Sequence, residues 1–271
     1  MTTDLYETPA PDADAAVFAD RVVAATLGAM DLYAIHLGRT LGWYDALVEA
    51  GPLTSSELAD RTGTQERYAR EWLEQQAAAG FLRATADEDG LQRRYSLTAE
   101  AADVLTDPSS LVYSAPLARM VAASAKVLPD LLTAYRTGGG VSWDRLGDDA
   151  RQAQADLNRP WFERALAGAL AGVPELQEVL TKPAARIADI GCGAGWSTVA
   201  LARAYPSAEL DGYDIDAPSI EAARRNATAA GVGDRVSFEV ADAAAIEGEG
   251  IYDAAFVFEA LHDMPRPVDV L

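Results

Sequence analysis

Three glycines at alternating positions follow a short apolar segment in the last third of the chain. Residues 185–195 read Ala-Arg-Ile-Ala-Asp-Ile-Gly-Cys-Gly-Ala-Gly, and a helix is predicted directly after them, over 196–204. Glycine lacks a Cβ and lets the backbone approach a ligand, and a helix start offers free N–H groups to an anionic group. The segment predicts a site for a nucleoside-bearing cofactor, unless the glycines serve only a tight turn. Its candidate residues are Asp189, Gly191, Cys192, Gly193 and Gly195.

An acidic residue follows each of three further predicted strands. These residues are Asp214, Asp242 and Glu259, and the strands cover 209–213, 235–240 and 252–258. An acid at the end of the second strand of such a sheet binds ribose hydroxyls. Asp216 is predicted instead to cap the following helix. The order of these acids along the chain extends the predicted cofactor site from one loop to four strand ends.

The spacing of the glycines separates two classes of cofactor. A dinucleotide fingerprint reads G-x-G-x-x-G, and Trp196 stands where its last glycine belongs, which argues against a nicotinamide oxidoreductase. The pattern Asp-x-Gly-x-Gly-x-Gly, followed by acids at later strand ends, resembles the class I S-adenosylmethionine-dependent methyltransferases. This resemblance implies S-adenosyl-L-methionine as the cofactor.

The resemblance also implies where the cofactor contacts lie. Asp214 would bridge the ribose hydroxyls, with Ile215 beside it in the site. Asp242 would meet the adenine amino group, with Ala243 as its neighbour. Glu259 would border the methionine part of the cofactor.

Two residues of the glycine segment have further expected roles. Asp189 would act at the amino end of the cofactor, either through water or by orienting the loop. Cys192 is the one cysteine of the chain. It is expected to be a small side chain facing the cofactor rather than a nucleophile, because no histidine lies near it in sequence.

A general base is expected if the methyl acceptor is a hydroxyl, and histidine suits that task near neutral pH. His262 follows the fourth strand and precedes Asp263, a pair similar to the His-Asp-Trp element of plant-type O-methyltransferases. Met264 replaces the tryptophan of that element. His262 is therefore a candidate catalytic base, with a role in shaping the loop as the alternative. His36 lies in a predicted N-terminal helix and is expected to be structural.

The implied fold class is α/β, a Rossmann-like class I methyltransferase sheet in residues 181–271. These residues would supply only the first four strands, so the sheet is incomplete, and the fourth strand would have an open edge. Either the chain is a fragment of a longer protein or another segment covers that edge. The chain as given is expected to bind the cofactor weakly and to associate through the edge.

The first half predicts a mostly helical domain over 15–105, followed by a helical linker over 106–180. Two helices are predicted over 17–50. A capping box from Thr54 to Glu57 opens a third helix, and Thr64 is expected to cap a fourth, over 65–79. A hairpin with its turn at 87–90 completes the order of a winged helix. Aromatic residues of the linker, Trp143, Trp161 and Phe162, are expected in the core or an interface.

The charge of the chain argues against nucleic acid as its partner. The formal net charge is −20, and residues 53–97 carry six basic and eight acidic side chains. Cations supply most of the affinity for a phosphate backbone, so DNA binding by this winged helix is not expected. An acidic winged helix ahead of the glycine segment resembles the small-molecule O-methyltransferases, in which this module mediates dimerisation.

The remaining sequence features exclude several classes of protein. A single cysteine excludes a disulfide framework, no membrane span or secretory signal is predicted, and a cytoplasmic protein is expected. No cluster of metal ligands is apparent, so no metal is expected. The predicted function is transfer of a methyl group to a small molecule, at oxygen, and the resemblance implies a homodimer formed through the N-terminal domain. A non-catalytic regulator that senses the cofactor is the alternative, and the acceptor is not readable from the sequence.

Overall fold

The computed structural model describes residues 13–85, 92–246, 248 and 250–270. It divides into two compact units, Met1–Leu97 and Thr98–Leu271. The further division of the second unit into a helical linker and a cofactor domain stays a proposal. Within the described residues, no helix is both long and apolar enough to cross a membrane.

The first unit contains four helices and a short antiparallel hairpin within its described residues. They are α1 (Ala13–Thr40), α2 (Trp43–Ala50), α3 (Ser55–Thr62), α4 (Glu66–Ala78), β1 (Arg83–Ala84) and β2 (Tyr95–Ser96). Strand β1 pairs with β2, and Leu53 makes an isolated bridge to Tyr95. The predicted hairpin turn at 87–90 lies outside the described residues.

The capping prediction is confirmed for α3 and wrong for α4. The Thr54 hydroxyl accepts from the Glu57 N–H at 3.3 Å, and Glu57 Oε2 accepts from the Thr54 N–H at 2.9 Å. Helix α4 starts after Gln65, which makes no side-chain cap bond. The Thr64 hydroxyl is occupied elsewhere, because it accepts from Trp43 Nε1 at 3.1 Å.

The buried face of α4 does not follow the spacing of its apolar residues at every position. Ala69 and Trp72 are buried, but Tyr68 is 70% exposed. Gln76 is fully buried instead, and its side-chain carbonyl accepts from the Tyr44 hydroxyl. A buried amide is tolerated when its polar atoms are hydrogen-bonded, so a polar residue occupies a position that apolar periodicity does not reveal.

The second unit begins with helices and continues into a parallel sheet. Its helices are α5 (Ala99–Leu105), α6 (Ala115–Lys126), α7 (Leu128–Thr137), α8 (Trp143–Trp161), α9 (Ala167–Ala171), α10 (Pro174–Leu180), α11 (Trp196–Ala204), α12 (Ala217–Ala229) and α13 (Pro267–Val270). Its strands are β3 (Arg186–Ile190), β4 (Glu209–Asp214), β5 (Val236–Val240) and β6 (Ala254–Val257).

The sheet has the order β5-β4-β3-β6, with all pairs parallel. The first, second and third predicted strands and the α11 helix are found close to their predicted bounds. Strand β6 lies at an edge, and within the described residues its outer side pairs with no strand. Ala255 is exposed, so burial on both faces of this strand, as its apolar sequence suggests, is not observed.

The core of this unit lies between the sheet and the helices that connect its strands. Ile187, Leu210 and Phe238 project to this side and pack with Val199 of α11 and Ile220 of α12. The carboxyl ends of four parallel strands therefore meet at one edge of the sheet. In open sheets of this kind, ligands bind outside the carboxyl ends of the strands.

The predicted linker over 106–180 is helical but interrupted at several points. Helices α6 and α7 are divided at Val127, two residues before Pro129. Helix α8 is interrupted at Gly147, whose φ is 76°, and continues into a π-helical turn over Phe162–Leu166. A glycine with positive φ breaks the helical dihedrals without steric cost, and this interruption shapes the wall described below.

Candidate active site

The turn between β3 and α11 is built on backbone that L-residues rarely adopt. Gly191, Gly193 and Gly195 have φ values of 69°, 50° and 74°. The N–H groups of Gly191 and Cys192 both donate to the carbonyl of Tyr213, at 2.8 and 3.0 Å. The loop is thereby fixed to the end of β4, beside the first residues of α11.

The three glycines differ in what their missing side chains leave room for. A Cβ at Gly191 would lie 2.5 Å from Ala260 Cβ, and one at Gly195 would lie 2.8 Å from Ala223 Cβ. A Cβ at Gly193 would meet nothing within 4 Å. Tight packing accounts for Gly191 and Gly195, whereas Gly193 faces open space in which a ligand fits.

Asp189 is buried beneath this loop and does not line the cavity beside it. Its Oδ2 accepts from Ser197 Oγ and Thr198 Oγ1, both at 2.6 Å, and its Oδ1 has no hydrogen-bond partner. Burial raises the pKa of this carboxyl to about 6, against the lowering effect of the two hydroxyls. Its contacts tie the end of β3 to the first turn of α11, which orients the loop.

Asp214 at the end of β4 also holds the glycine loop. Its Oδ2 accepts from the Gly193 N–H at 2.9 Å, and its Oδ1 accepts from the Asp216 N–H at 2.8 Å. Burial raises the pKa of Asp214. Each carboxylate oxygen keeps a second lone pair, so the group can still accept from two ligand hydroxyls.

The residues after Asp214 and after β5 lie on the same cavity. Asp216 caps α12 as predicted, accepting from the Ser219 N–H at 3.0 Å. Ile215 is 66% exposed and lines the cavity. Asp242 and Ala243 line it too, and Asp242 Oδ1 accepts from the Ala244 N–H at 3.0 Å.

Helix α8 forms the facing wall of this cavity, which encloses about 240 Å³. Sequence reasoning missed these residues, because a wall formed by a distant helix leaves no local motif. Trp143 and Phe162, which were expected only in the core or an interface, line the cavity, while Trp161 does not. Other lining residues from this side are Arg151, Gln154, Ala155 and Asn158.

The loop after β6 closes the remaining side. Glu259 is exposed, has a φ of 52° and lines the cavity, as do Asp263 and Met264. His262 does not line it, and its side chain is 67% exposed with Nε2 3.5 Å from Asp263 Oδ1. The structure thus brings the neighbours of His262 to the cavity and leaves the imidazole outside it.

Cys192 lines the cavity and is buried. Burial and the nearby carboxylates of Asp189 and Asp214 raise the pKa of its thiol far above the ordinary value. A thiol held protonated is a poor nucleophile. The position agrees with a small side chain that packs against a ligand.

Acidic side chains outnumber basic ones on the cavity wall. The acids are Asp214, Asp216, Asp242, Glu259 and Asp263, and the bases are Arg151 and Arg266. Such a wall favours a cationic ligand. S-adenosylmethionine has a sulfonium between its adenosyl and methionine parts, and its methionine part has an ammonium and a carboxylate group, so its net charge is positive. The residues present fit it. Within the residues that the structure describes, no cluster of three metal ligands is found.

Comparison with known proteins matches both parts of the chain. Residues 187–271 match a family described as "Methyltransferase domain", and residues 28–107 match the "Rv2258c-like winged HTH domain". The structure is similar to that of the mitomycin 7-O-methyltransferase MmcR, with a TM-score of 0.71 and 27% identity, covering 95% of this chain and 76% of that one. Human N-acetylserotonin methyltransferase in complex with SAM has a similar fold, with a TM-score of 0.64 and 18% identity, covering 97% and 74%.

Curated relatives match a shorter part. Methyltransferase ungE' of Aspergillus campestris is 33% identical over 88 residues, which are 32% of this chain and 24% of that protein. A trans-aconitate 2-methyltransferase of Streptomyces avermitilis is 34% identical over 108 residues, 40% of this chain and 39% of that protein. The chain thus spans about a quarter to two fifths of the length of these two relatives.

The fold and the family matches define the class. The chain combines a winged helix-turn-helix domain with a methyltransferase domain of the class I, S-adenosylmethionine-dependent fold. The predicted winged helix and the predicted fold class are both confirmed.

Proposed function

We propose that this protein transfers a methyl group from S-adenosyl-L-methionine to a small molecule, at oxygen. The observation that carries the proposal is the open space at Gly193, next to the Asp214 carboxylate at the carboxyl ends of the strands. The excess of acidic side chains on the wall supports a cationic cofactor. The O-methyltransferase named above, at 27% identity, supports oxygen as the accepting atom.

Each residue of the proposed cofactor site has a distinct task. Asp214 accepts from the ribose hydroxyls, while Ile215 and Ala243 pack beside the adenosine. Asp242 accepts from the adenine amino group, and Glu259 lies toward the methionine part. Bound S-adenosylmethionine supplies an activated methyl group on a sulfonium. The protein then has to hold the acceptor in line with that methyl group and at contact distance.

The glycine segment supports the cofactor through its backbone. Gly193 leaves the space that a side chain would fill, and Gly191 and Gly195 allow the close packing of the loop. Cys192 contributes a small buried side chain to the wall. Asp189 acts from below by holding the first turn of α11 through two hydroxyls.

The test of this function is product formation. The purified chain is incubated with S-adenosylmethionine and a panel of phenols, carboxylic acids and amines, and S-adenosylhomocysteine and methylated product are quantified by mass spectrometry. Methylation of oxygen acceptors supports the proposal. Cofactor binding without transfer to any acceptor would favour the alternative, a regulator that senses the cofactor. Calorimetry alone does not separate the two, because both bind it.

We propose His262 as the general base for a hydroxyl acceptor. Its place between two cavity residues, Ala260 and Asp263, supports this role, although reaching the cavity requires the imidazole to turn inward. A positioned base contributes about 10²- to 10⁴-fold to such a reaction. His262→Ala is expected to lower kcat by about that factor without weakening cofactor binding. His36→Ala is the control. An unchanged kcat in His262→Ala would show that His262 is not the general base.

We propose that the chain forms a homodimer through its winged-helix unit. Helix α1 exposes a series of apolar side chains, each more than half exposed: Val17, Phe18, Val22, Val23, Leu27 and Met30. Exposed apolar surface of this kind marks an interaction site. Sedimentation equilibrium is expected to give a dimer for the wild type and loss of that dimer for the double variant Val23→Asp, Leu27→Asp. Val268→Asp, on α13 and 81% exposed, is the control.

A further inference from the structure

Helix α8 faces the proposed cofactor residues across the cavity and is interrupted between its lining residues. Trp143 lies before Gly147 and Arg151 lies after it, and both line the cavity. A Cβ at Gly147 would meet nothing within 4 Å, so packing does not hold this point of the helix. The buried residues Ala150 and Ala153 pack the helix after this point, and side-chain contacts that reach across to the strand ends add to that packing.

Arg151 makes such a contact, to the residue that caps α12. Its Nε donates to Asp216 Oδ2 at 2.7 Å and its Nη2 donates to Asp216 Oδ1 at 3.0 Å. Its Nη1 also donates to Asp148 Oδ1 at 2.8 Å. The Arg151 and Asp216 side chains are only 13% and 8% exposed. A two-bond, desolvated pair of this geometry is stronger than an exposed ion pair and is little screened by salt.

Hydrogen bonds continue from this pair to the proposed ribose site. The Asp216 N–H donates to Asp214 Oδ1, and Asp214 Oδ2 accepts from the Gly193 N–H. One unbroken path thus runs from the guanidinium on α8 to the glycine loop. Without the guanidinium, the Asp216 carboxylate would keep only its bonds from the N–H and hydroxyl of Ser219. It would then be a buried charge without an ion-pair partner, two residues from Asp214, with an unfavourable effect on both.

We propose that Arg151 is a positioning residue, which holds α8 in place across the cavity and holds the Asp214 carboxylate in the orientation that binds the cofactor. The inference rests on the proposed function, because it assigns the wall formed by α8 to cofactor binding. Neither the glycine pattern nor the strand-end acids assign a role to this arginine. It acts through Asp216 and Asp214 and takes no part in the methyl transfer itself.

The experiment compares variants of one helix by the dissociation constant of S-adenosylhomocysteine, measured by calorimetry. Arg151→Ala is expected to weaken binding about tenfold, and Arg151→Lys, which keeps the charge but not the two-bond geometry, by about threefold. Arg145→Ala is the matched control. Arg145 lies on the same helix and pairs with Asp130 at 2.6 Å, but it is 63% exposed, and no change is expected.

Two further measurements distinguish positioning from a general effect on folding. Asp216→Asn keeps a capping side chain, and the double variant with Arg151→Ala is expected to bind no more weakly than Arg151→Ala alone. Amide hydrogen exchange in the ligand-free protein is expected to rise in residues 148–158 of Arg151→Ala, but not of Arg145→Ala.

The outcomes separate the two proposals. If the wild type binds S-adenosylhomocysteine and Arg151→Ala binds it with the same dissociation constant, the role of Arg151 is overturned. The proposed function would still stand. Additive losses in the double variant, or unchanged hydrogen exchange, would also overturn the role of Arg151. No binding by the wild type would overturn the proposed function and, with it, the assignment of Arg151 to cofactor binding. The exchange measurement would then test only whether the Arg151–Asp216 pair holds α8 in place.

Discussion

The glycines of the loop share one sequence pattern but not one physical role. All three have positive φ, yet only Gly193 has open space where a Cβ would stand. The sequence alone leaves two readings, a ligand cradle and a tight turn. The structure supports the tight turn for Gly191 and Gly195 and leaves the ligand cradle to Gly193. The sequence does not show this, because the contacts at Gly191 and Gly195 come from Ala260 and Ala223, which are distant in sequence.

Alanine at two of these positions is expected to have opposite consequences. Gly193→Ala is expected to cost about 1 kcal/mol of stability, from backbone strain alone, and to weaken cofactor binding more than tenfold, because its Cβ would enter the space proposed for the ligand. Gly195→Ala costs about 3 kcal/mol, because its Cβ would also lie 2.8 Å from Ala223 and 2.9 Å from Phe238. Urea unfolding and calorimetry with S-adenosylhomocysteine measure the two effects. Equal loss of stability in both variants would contradict this division.

The protonation of Asp189 is expected to affect the stability of the folded chain. Burial raises its folded pKa to about 6 from an ordinary 3.8, so the folded protein keeps this proton where the unfolded chain has released it. The stability contributed by the protonated form is complete below about pH 4 and is lost as the pH rises through about 6.

Asp189→Asn removes this dependence, since an amide does not titrate. The stability of the variant relative to the wild type is expected to rise between about pH 4 and pH 7, by up to roughly 3 kcal/mol. Urea unfolding at a series of pH values measures the difference. Parallel profiles for the two proteins would show that the carboxyl has the same pKa in both states.

At the scale of elements, the sequence predicts best where local chemistry decides the outcome. The strands and α11 follow from short apolar runs bounded by glycine, and the cap of α3 follows from Thr54 and Glu57. Thr64 shows the limit, because the indole of Trp43, 21 residues away, takes its hydroxyl as acceptor. The pairing of Arg151 with Asp216 spans 65 residues, and no periodicity encodes it.

The cap of α3 has a measurable energy. Thr54→Ala is expected to lose about 1 kcal/mol of stability, because the Glu57 N–H loses its acceptor. Ser142→Ala is the matched control, since Ser142 precedes α8 without a side-chain cap bond, and its loss is expected to stay under about 0.5 kcal/mol. Urea unfolding and amide exchange at Glu57 check both. Equal losses at the two positions would mean that the capping box does not stabilise α3.

At the scale of the whole molecule, charge decides which partners are compatible with the fold. Of the net charge of −20, residues 181–271 carry −8, from seven basic and fifteen acidic side chains, which leaves −12 for residues 1–180. Both parts repel phosphate backbones. The winged helix is a fold that also occurs in DNA-binding proteins, so its own surface has to be considered.

Two arginines on helix α4 and one on the hairpin are paired with acids. Arg67 lies 2.8 Å from Glu71 and Arg70 lies 3.5 Å from Glu66, both one helical turn apart. Arg94 donates to both carboxylate oxygens of Glu57. A cation contributes to DNA binding by displacing counterions from phosphate, and an adjacent carboxylate opposes that contribution.

The chain is therefore expected not to bind duplex DNA, even at about 50 mM salt, where electrostatic binding is strong. Fluorescence anisotropy with a labelled duplex measures this, and repeating it at about 200 mM salt tests the mechanism. The double variant Glu66→Gln, Glu71→Gln frees Arg67 and Arg70, and weak, salt-dependent binding by this variant alone would identify the paired acids as the cause. Salt-dependent binding by the wild type would contradict the charge argument. It would also favour a regulator over an enzyme whose winged helix serves dimerisation.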